Sequence, residues 1–130
     1  MDDSSSYAGL NQIGQIAVNV HDVKRATAFY RDTLGMKLLL EIPNAVFFDC
    51  GGVRLMLSLP EKPEFDHAAS IIYYNVANIQ AAFQTLFSRG VQFEAAPRLI
   101  AQMRDHDLWM GFFRDSEGNL LALMSEVPRK

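Results

Sequence analysis

The sequence predicts an α+β fold of two βαβββ modules related by a pseudo-twofold, each a curved four-stranded mixed sheet with one helix on its outer face. Three observations carry this. The stretch from Ile13 to Met36 reads as strand, helix cap, helix and glycine stop, and the same plan returns from Ser70 to Val91. The copies stay in step through strand and helix start: Gln15 meets Ile71, Asn19 meets Asn75, Val20 meets Val76 and Asp22 meets Asn78. A second echo sets DCGGVRLML from Asp49 beside DSEGNLLAL from Asp115, bringing Gly52 to Gly118 and Leu55 to Leu121.

In the first module, Ile16, Val18 and Val20 alternate with Gln15, Ala17 and Asn19, the period-two pattern of a strand with two unlike faces. Asp22 offers a carboxylate to a helix start, and Val23, Ala26, Tyr30 and Leu34 recur on one helical side before Gly35 stops the helix. Lys37 to Ile42 and Ala45 to Asp49 form a hairpin around Pro43-Asn44. After Gly51-Gly52, Val53, Leu55, Leu57 and Leu59 alternate with Arg54, Met56 and Ser58. The first module therefore spans 13–59, the Pro- and acid-rich stretch 60–67 is a linker, and the second module spans 68–126.

The second module runs through a strand to Val76, a helix carrying Ile79, Ala82, Phe83, Leu86 and Phe87 that stops at Gly90, and a strand from Val91 to about Ala95. The unequal spacing of the two echoes gives this module about ten extra residues between helix and final strand, placed in an irregular connection from Ala95 to Asp107. Strands at Asp107 to Arg114 and Asn119 to Glu126 complete it. Residues 1–12 read as a disordered polar leader and 127–130 as a frayed tail.

With 130 residues, 49% of them hydrophobic, the chain is long enough for one real core. A net charge of −3 with scattered Lys and Arg argues against nucleic acid. No apolar run is long enough for a membrane span. The single cysteine, Cys50, fits a reducing compartment and a buried, inert thiol. Together these readings give a cytoplasmic expectation.

One helix covers only one face of each sheet, so two sheets brought together can enclose a cup lined by their open faces. By parity these faces carry Gln15, Ala17 and Asn19; Arg54, Met56 and Ser58; Ile71, Tyr73 and Asn75; and Leu120, Ala122 and Met124. Trp109 and Phe113 join Tyr73, Met56 and Met124 as an apolar wall of the kind small-molecule pockets show, or as plain core. Asn19 and Asn75 stand at symmetric positions, suited to a polar ligand group or to each other. Arg54 offers a guanidinium to a carboxylate or phosphate if it faces the cup, and is simply solvated at the rim.

The run V-x-D-V-x-x-A-x-x-F-Y-R-D-x-L-G-M from Val20 to Met36, with F-R-D-S-E-G-N-L-L-A-L from Phe113, resembles the glyoxalase/bleomycin-resistance/dioxygenase family, also called the vicinal oxygen chelate superfamily. The resemblance covers nearly all of 13–126 and implies the paired-module fold, frequent homodimers, and activities from lyase and isomerase to pure drug binding. Its enzymes generally hold a divalent metal at positions that fall here on Gln15, Met56, Ile71 and Ala122. Only Gln15 offers an oxygen, so neither metal nor other cofactor is expected.

Three histidines remain. His21 precedes a helix cap, and His67 ends the linker beside Asp66; both positions are ordinary for solvated rings. His106, between Asp105 and Asp107, reads as a polar turn residue or as a general acid/base, and an unusual metal site with His67 is conceivable. The first expectation is a metal-free binder of a small, partly apolar molecule in the cup between the modules. The alternative is a lyase or isomerase using His106 or a non-standard metal.

Overall fold

Alternation and capping place the elements of the first module where the sequence puts them. The computed structural model describes Tyr7 and residues 9–129, so the leader reading for 1–6 and Ala8 lies outside the described residues. Strand β1 (Gln15–Asn19) pairs in parallel with β4 (Val53–Ser58). Next to β4 come β3 (Ala45–Cys50) and β2 (Lys37–Ile42), both antiparallel, giving the order β1-β4-β3-β2. Helix α1 (Val23–Ala28) starts on Asp22, whose side chain accepts from the Arg25 backbone N–H at 3.0 Å. It continues into a π turn, Phe29–Thr33, which the apolar spacing does not foretell, and the chain reverses at Gly35 with φ +79°. The inward set Val18, Val46, Phe48, Leu55 and Leu57 is buried under this helix together with Ala26 and Tyr30.

The second module repeats the plan with β5 (Ile72–Asn75), α2 (Ile79–Ser88) capped by Asn78 onto the Ala81 N–H, β6 (Gln92–Phe93), β8 (His106–Arg114) and β9 (Leu120–Pro128). The difference lies in the connection expected to be irregular, where β7 (Arg98–Gln102) pairs with β8 through Arg98↔Met110 and Gln102↔Asp107. The second sheet is thus five-stranded, ordered β5-β9-β8-β6 with β7 also on β8. The reason is length: β8 has nine residues, β6 covers only its Phe113 and Arg114, and the rest of that edge needs a hydrogen-bonding partner. The final strand also continues past Glu126, with Val127 opposite Asp107 and Pro128 opposite His106.

The modules share one apolar core, and a buried carboxylate ties them across it. Tyr30 Oη donates to Asp115 Oδ2 at 2.6 Å, while Asp115 Oδ1 accepts from the Glu117 and Asn119 backbone N–H groups at 2.8 Å each. The Asn119 side chain donates to the same carboxylate at 3.0 Å. Tyr30 is fully buried, and burial, reinforced by the Asp115 charge, pushes its hydroxyl pKa far up, so it stays a donor. Arg89 donates to the Thr33 carbonyl at 2.9 Å and Arg25 to the Ser116 carbonyl, further ties across the same seam. Among the described residues no helix is long and apolar enough to cross a membrane.

Replacing Tyr30 by Phe removes the one side chain of the first module that, among the described residues, hydrogen-bonds the Asp115 carboxylate. The expected loss is about 1.5–3 kcal/mol of unfolding free energy, read by urea denaturation as a lower midpoint with an unchanged slope.

Candidate functional site

Residues that alternate away from the helices form the open side of each sheet. On the first sheet, Gln15 and Arg54 are register partners, and Arg54 Nε donates to Gln15 Oε1 at 2.7 Å. The Gln15 amide nitrogen points to the Met56 sulfur at 3.9 Å. The Arg54 guanidinium also lies over Phe47, 5.4 Å from the ring centroid. A hollow of about 660 Å³ opens beside this group, between the β2–β3 turn and the start of the linker, with Ala45, Met56 and Ser58 in its wall. The residues lining that hollow come from the first module and, at Pro60 and Glu61, from the start of the linker.

On the second sheet, Tyr73 and Phe112 are both register partners of Ala122, and their rings meet edge to face at 5.9 Å. The pair lies over Ala122, which is wholly buried. Met124 stands one row further, opposite Asn75 and Met110, and is half-buried. Tyr73 remains 42% exposed, enough surface for a ligand to stack on.

Two residues of the expected apolar wall lie on the other side. Phe113 is 1% exposed and packs against Phe93 at 5.3 Å, and Trp109, of the same parity in β8, packs against the core opposite the buried Ser125. The correction is one of parity: Phe112 and Met110 carry the open face of β8. Sequence reasoning also missed Phe47, which alternation from Val46 and Phe48 places on the open side.

The asparagines part ways. Asn19 donates its side-chain N–H to the Phe65 and His67 carbonyls of the linker, the latter at 3.3 Å, whereas Asn75 is exposed at a seam cavity with Ile16, Val53 and Ile72. His106 sits at the far end of β8, with Nδ1 at 2.7 Å from Asp105 and Nε2 at 3.0 Å from Glu126. Six residues separate it from Phe112, roughly 20 Å along a strand. The His67 ring Nδ1 lies 3.2 Å from the Ala68 carbonyl. Burial and the neighbouring Asp49 raise the Cys50 thiol pKa, opposite to what a nucleophilic thiolate needs.

The four positions where the resemblance implies a metal do not fit one. The single oxygen donor, Gln15 Oε1, already accepts from a guanidinium whose charge opposes a cation; Met56 gives a thioether, and Ile71 and Ala122 give hydrocarbon. Among the described residues no three His, Cys, Asp or Glu side chains are grouped to hold a metal ion.

Two mixed sheets in pseudo-symmetric βαβββ modules, with helices on one side and an open face on the other, define a two-module α+β scaffold. The profile of the Glyoxalase/Bleomycin resistance protein/Dioxygenase superfamily matches residues 12–123, and the chain belongs to that superfamily. Among solved structures it is similar to a superfamily member from Sphaerobacter thermophilus, at 25% identity and TM-score 0.75, covering 90% of this chain and 98% of the other. It is also similar in fold to a lactoylglutathione lyase from Agrobacterium tumefaciens, at 22% identity and TM-score 0.72, over 90% and 95% of the two chains. A glyoxalase/bleomycin resistance protein/dioxygenase from Alicyclobacillus acidocaldarius shares the fold at 19% identity and TM-score 0.70, over 92% and 95%. No curated protein sequence gives a significant match.

The donor chemistry leads to a direct expectation. Equilibrium dialysis against Mg²⁺, Mn²⁺, Ni²⁺ or Zn²⁺ should leave the Gln15 and Arg54 side-chain NMR signals unmoved, and replacing Gln15 by Ala should not change metal uptake.

Proposed function

We propose that this superfamily member binds a small, partly apolar molecule carrying an acidic group on the open side of its sheets, without a divalent metal. The observation that carries the reading is the Arg54–Gln15 hydrogen bond of 2.7 Å, which puts a held positive charge on the row that would otherwise chelate. Gln15 and the Phe47 ring fix the guanidinium, so it is partly preorganised to receive a carboxylate or phosphate. Met56 and the 660 Å³ hollow on the first sheet, and the exposed Tyr73 ring on the second, offer apolar surface of a size for a small molecule.

Binding is favoured over acid/base catalysis at His106. Both nitrogens of that ring face carboxylates, and its strand carries it away from the row of Phe112 and Ala122. The exposed apolar side chains Leu40, Ile42, Ile71 and Tyr73, each at least 40% exposed, also support a homodimer that shelters the open side. Sedimentation equilibrium should then return twice the 14.6 kDa chain mass.

Calorimetric titration with aromatic carboxylates, aliphatic acids and glycopeptides should find one saturable class of ligand with a negative heat-capacity change. Replacing Arg54 by Gln should weaken an acidic ligand about tenfold or more and leave its neutral amide analogue unaffected. Heat-free titrations across the panel, with an intact fold, would contradict the proposal.

A further inference from the structure

His21, an ordinary cap-flanking residue by sequence, is the centre of a three-element cluster. Its Nε2 lies 3.0 Å from both oxygens of Asp66 in the linker, and its Nδ1 lies 3.2 Å from Glu117 Oε1 in the β8–β9 turn. A neutral imidazole has one donor and one lone pair, so it can satisfy only one of these carboxylates. Two carboxylates on opposite ring nitrogens require the imidazolium. Glu117 is the fixed partner: its side chain is 11% exposed and also accepts from the His21 and Asp22 backbone N–H groups at 3.0 and 3.2 Å. Asp66, 42% exposed on the linker, is the partner free to leave.

What Asp66 holds down is the segment over the end of β1. The linker carbonyls of Phe65 and His67 accept from Asn19, the last residue of β1 and one of the open-face row. A pocket of about 170 Å³ at that end is lined by Asn19, His21, Asp66, His67 and Glu117 among others. The charged groups facing the ring are Asp66 from the linker, Glu117 from the turn with Asp115 behind it, and Asp22 and Arg25 from the start of α1; Arg114 lies across the adjoining cavity. Carboxylates outnumber the two arginines, and both arginines are spoken for, Arg25 by the Ser116 carbonyl and Arg114 by Glu94.

We infer that His21 is a proton-operated clasp: as the imidazolium it pins the linker over the Asn19 end of the open side, and as the neutral ring it lets Asp66 and the linker go. The consequence for ligand access rests on the binding reading above; the clasp itself does not. The sign follows from the partners. The hydrogen bond to Asp66, then its charge, then Glu117 raise the His21 pKa above 6.5, so the clasp is fully closed below 6.5 and is lost as pH rises through the higher folded-state value.

The test is NMR of the whole chain from about pH 5.5 to about pH 8.5. It follows the His21 ring and the exchange protection of the Phe65, Asp66 and His67 amides, which donate to Lys62, Pro63 and Phe65 carbonyls. Protection should fall roughly threefold or more as the His21 ring deprotonates. His21→Gln should show the low protection at every pH, and Asp66→Asn should lose the pH dependence while Glu117 stays in place. Protection that does not change with pH, or that still titrates in His21→Gln and so follows His67, would overturn the clasp. If an acidic ligand binds with an affinity blind to the His21 titration, control of the site is overturned and the binding reading stands. If the linker responds but no ligand binds, the binding reading falls and the clasp stands.

Discussion

One buried carboxylate decides how this chain is put together. Asp115 ends the β8 side of the second module, yet its best partner is Tyr30, a residue of the π turn that follows the first helix. A carboxylate at 7% exposure is tolerable only when its oxygens are occupied, and here a phenol, two backbone N–H groups and an amide occupy them. The same contacts shape the Asp115–Asn119 turn and therefore the aim of Glu117 toward His21. Removing one of them leaves this buried carboxylate a hydrogen bond short, with part of its desolvation cost no longer offset.

With the helical sides joined at this point, the sheets turn their other faces outward, and chemistry is left to whatever stands on those rows. The superfamily to which the chain belongs is not defined by one reaction. On the first row of this chain stands a guanidinium, held by Gln15 and by the Phe47 ring, where divalent-metal chemistry would need anionic or imidazole ligands. On the proposed reading, a held cation with apolar surroundings would favour anionic, partly apolar ligands and oppose Mg²⁺ or Zn²⁺ by the same electrostatics.

Much of the fold was legible because it is written twice. Asp22 and Asn78 both cap helices, Gly35 and Gly90 both stand at positive φ after them, and the alternation of β1 and β4 places Gln15, Arg54 and Met56 on one face. The parts that were not legible lie where local pattern is ambiguous. Strand β8 is apolar at both parities through Trp109, Met110, Phe112 and Phe113, so alternation alone does not say which of them the helix covers; the pairing with β9 does. Strand β7 follows Pro97 in a stretch without strong alternation and exists because β8 offers an unpaired edge. The His21 cluster joins residues from the start of α1, the linker and the last turn, and no local pattern links His21, Asp66 and Glu117.

Whether a fixed positive charge has taken over the open side is tested most directly by diffraction from crystals grown with a bromobenzoate, using the anomalous signal of bromine to locate it without bias. The expected result is a carboxylate on the Arg54 guanidinium with the bromophenyl ring toward Met56 and the hollow beside Ala45 and Ser58. A ligand lodged elsewhere with that face bare, or a divalent cation seated on Gln15 Oε1 with Arg54 swung away, would contradict it.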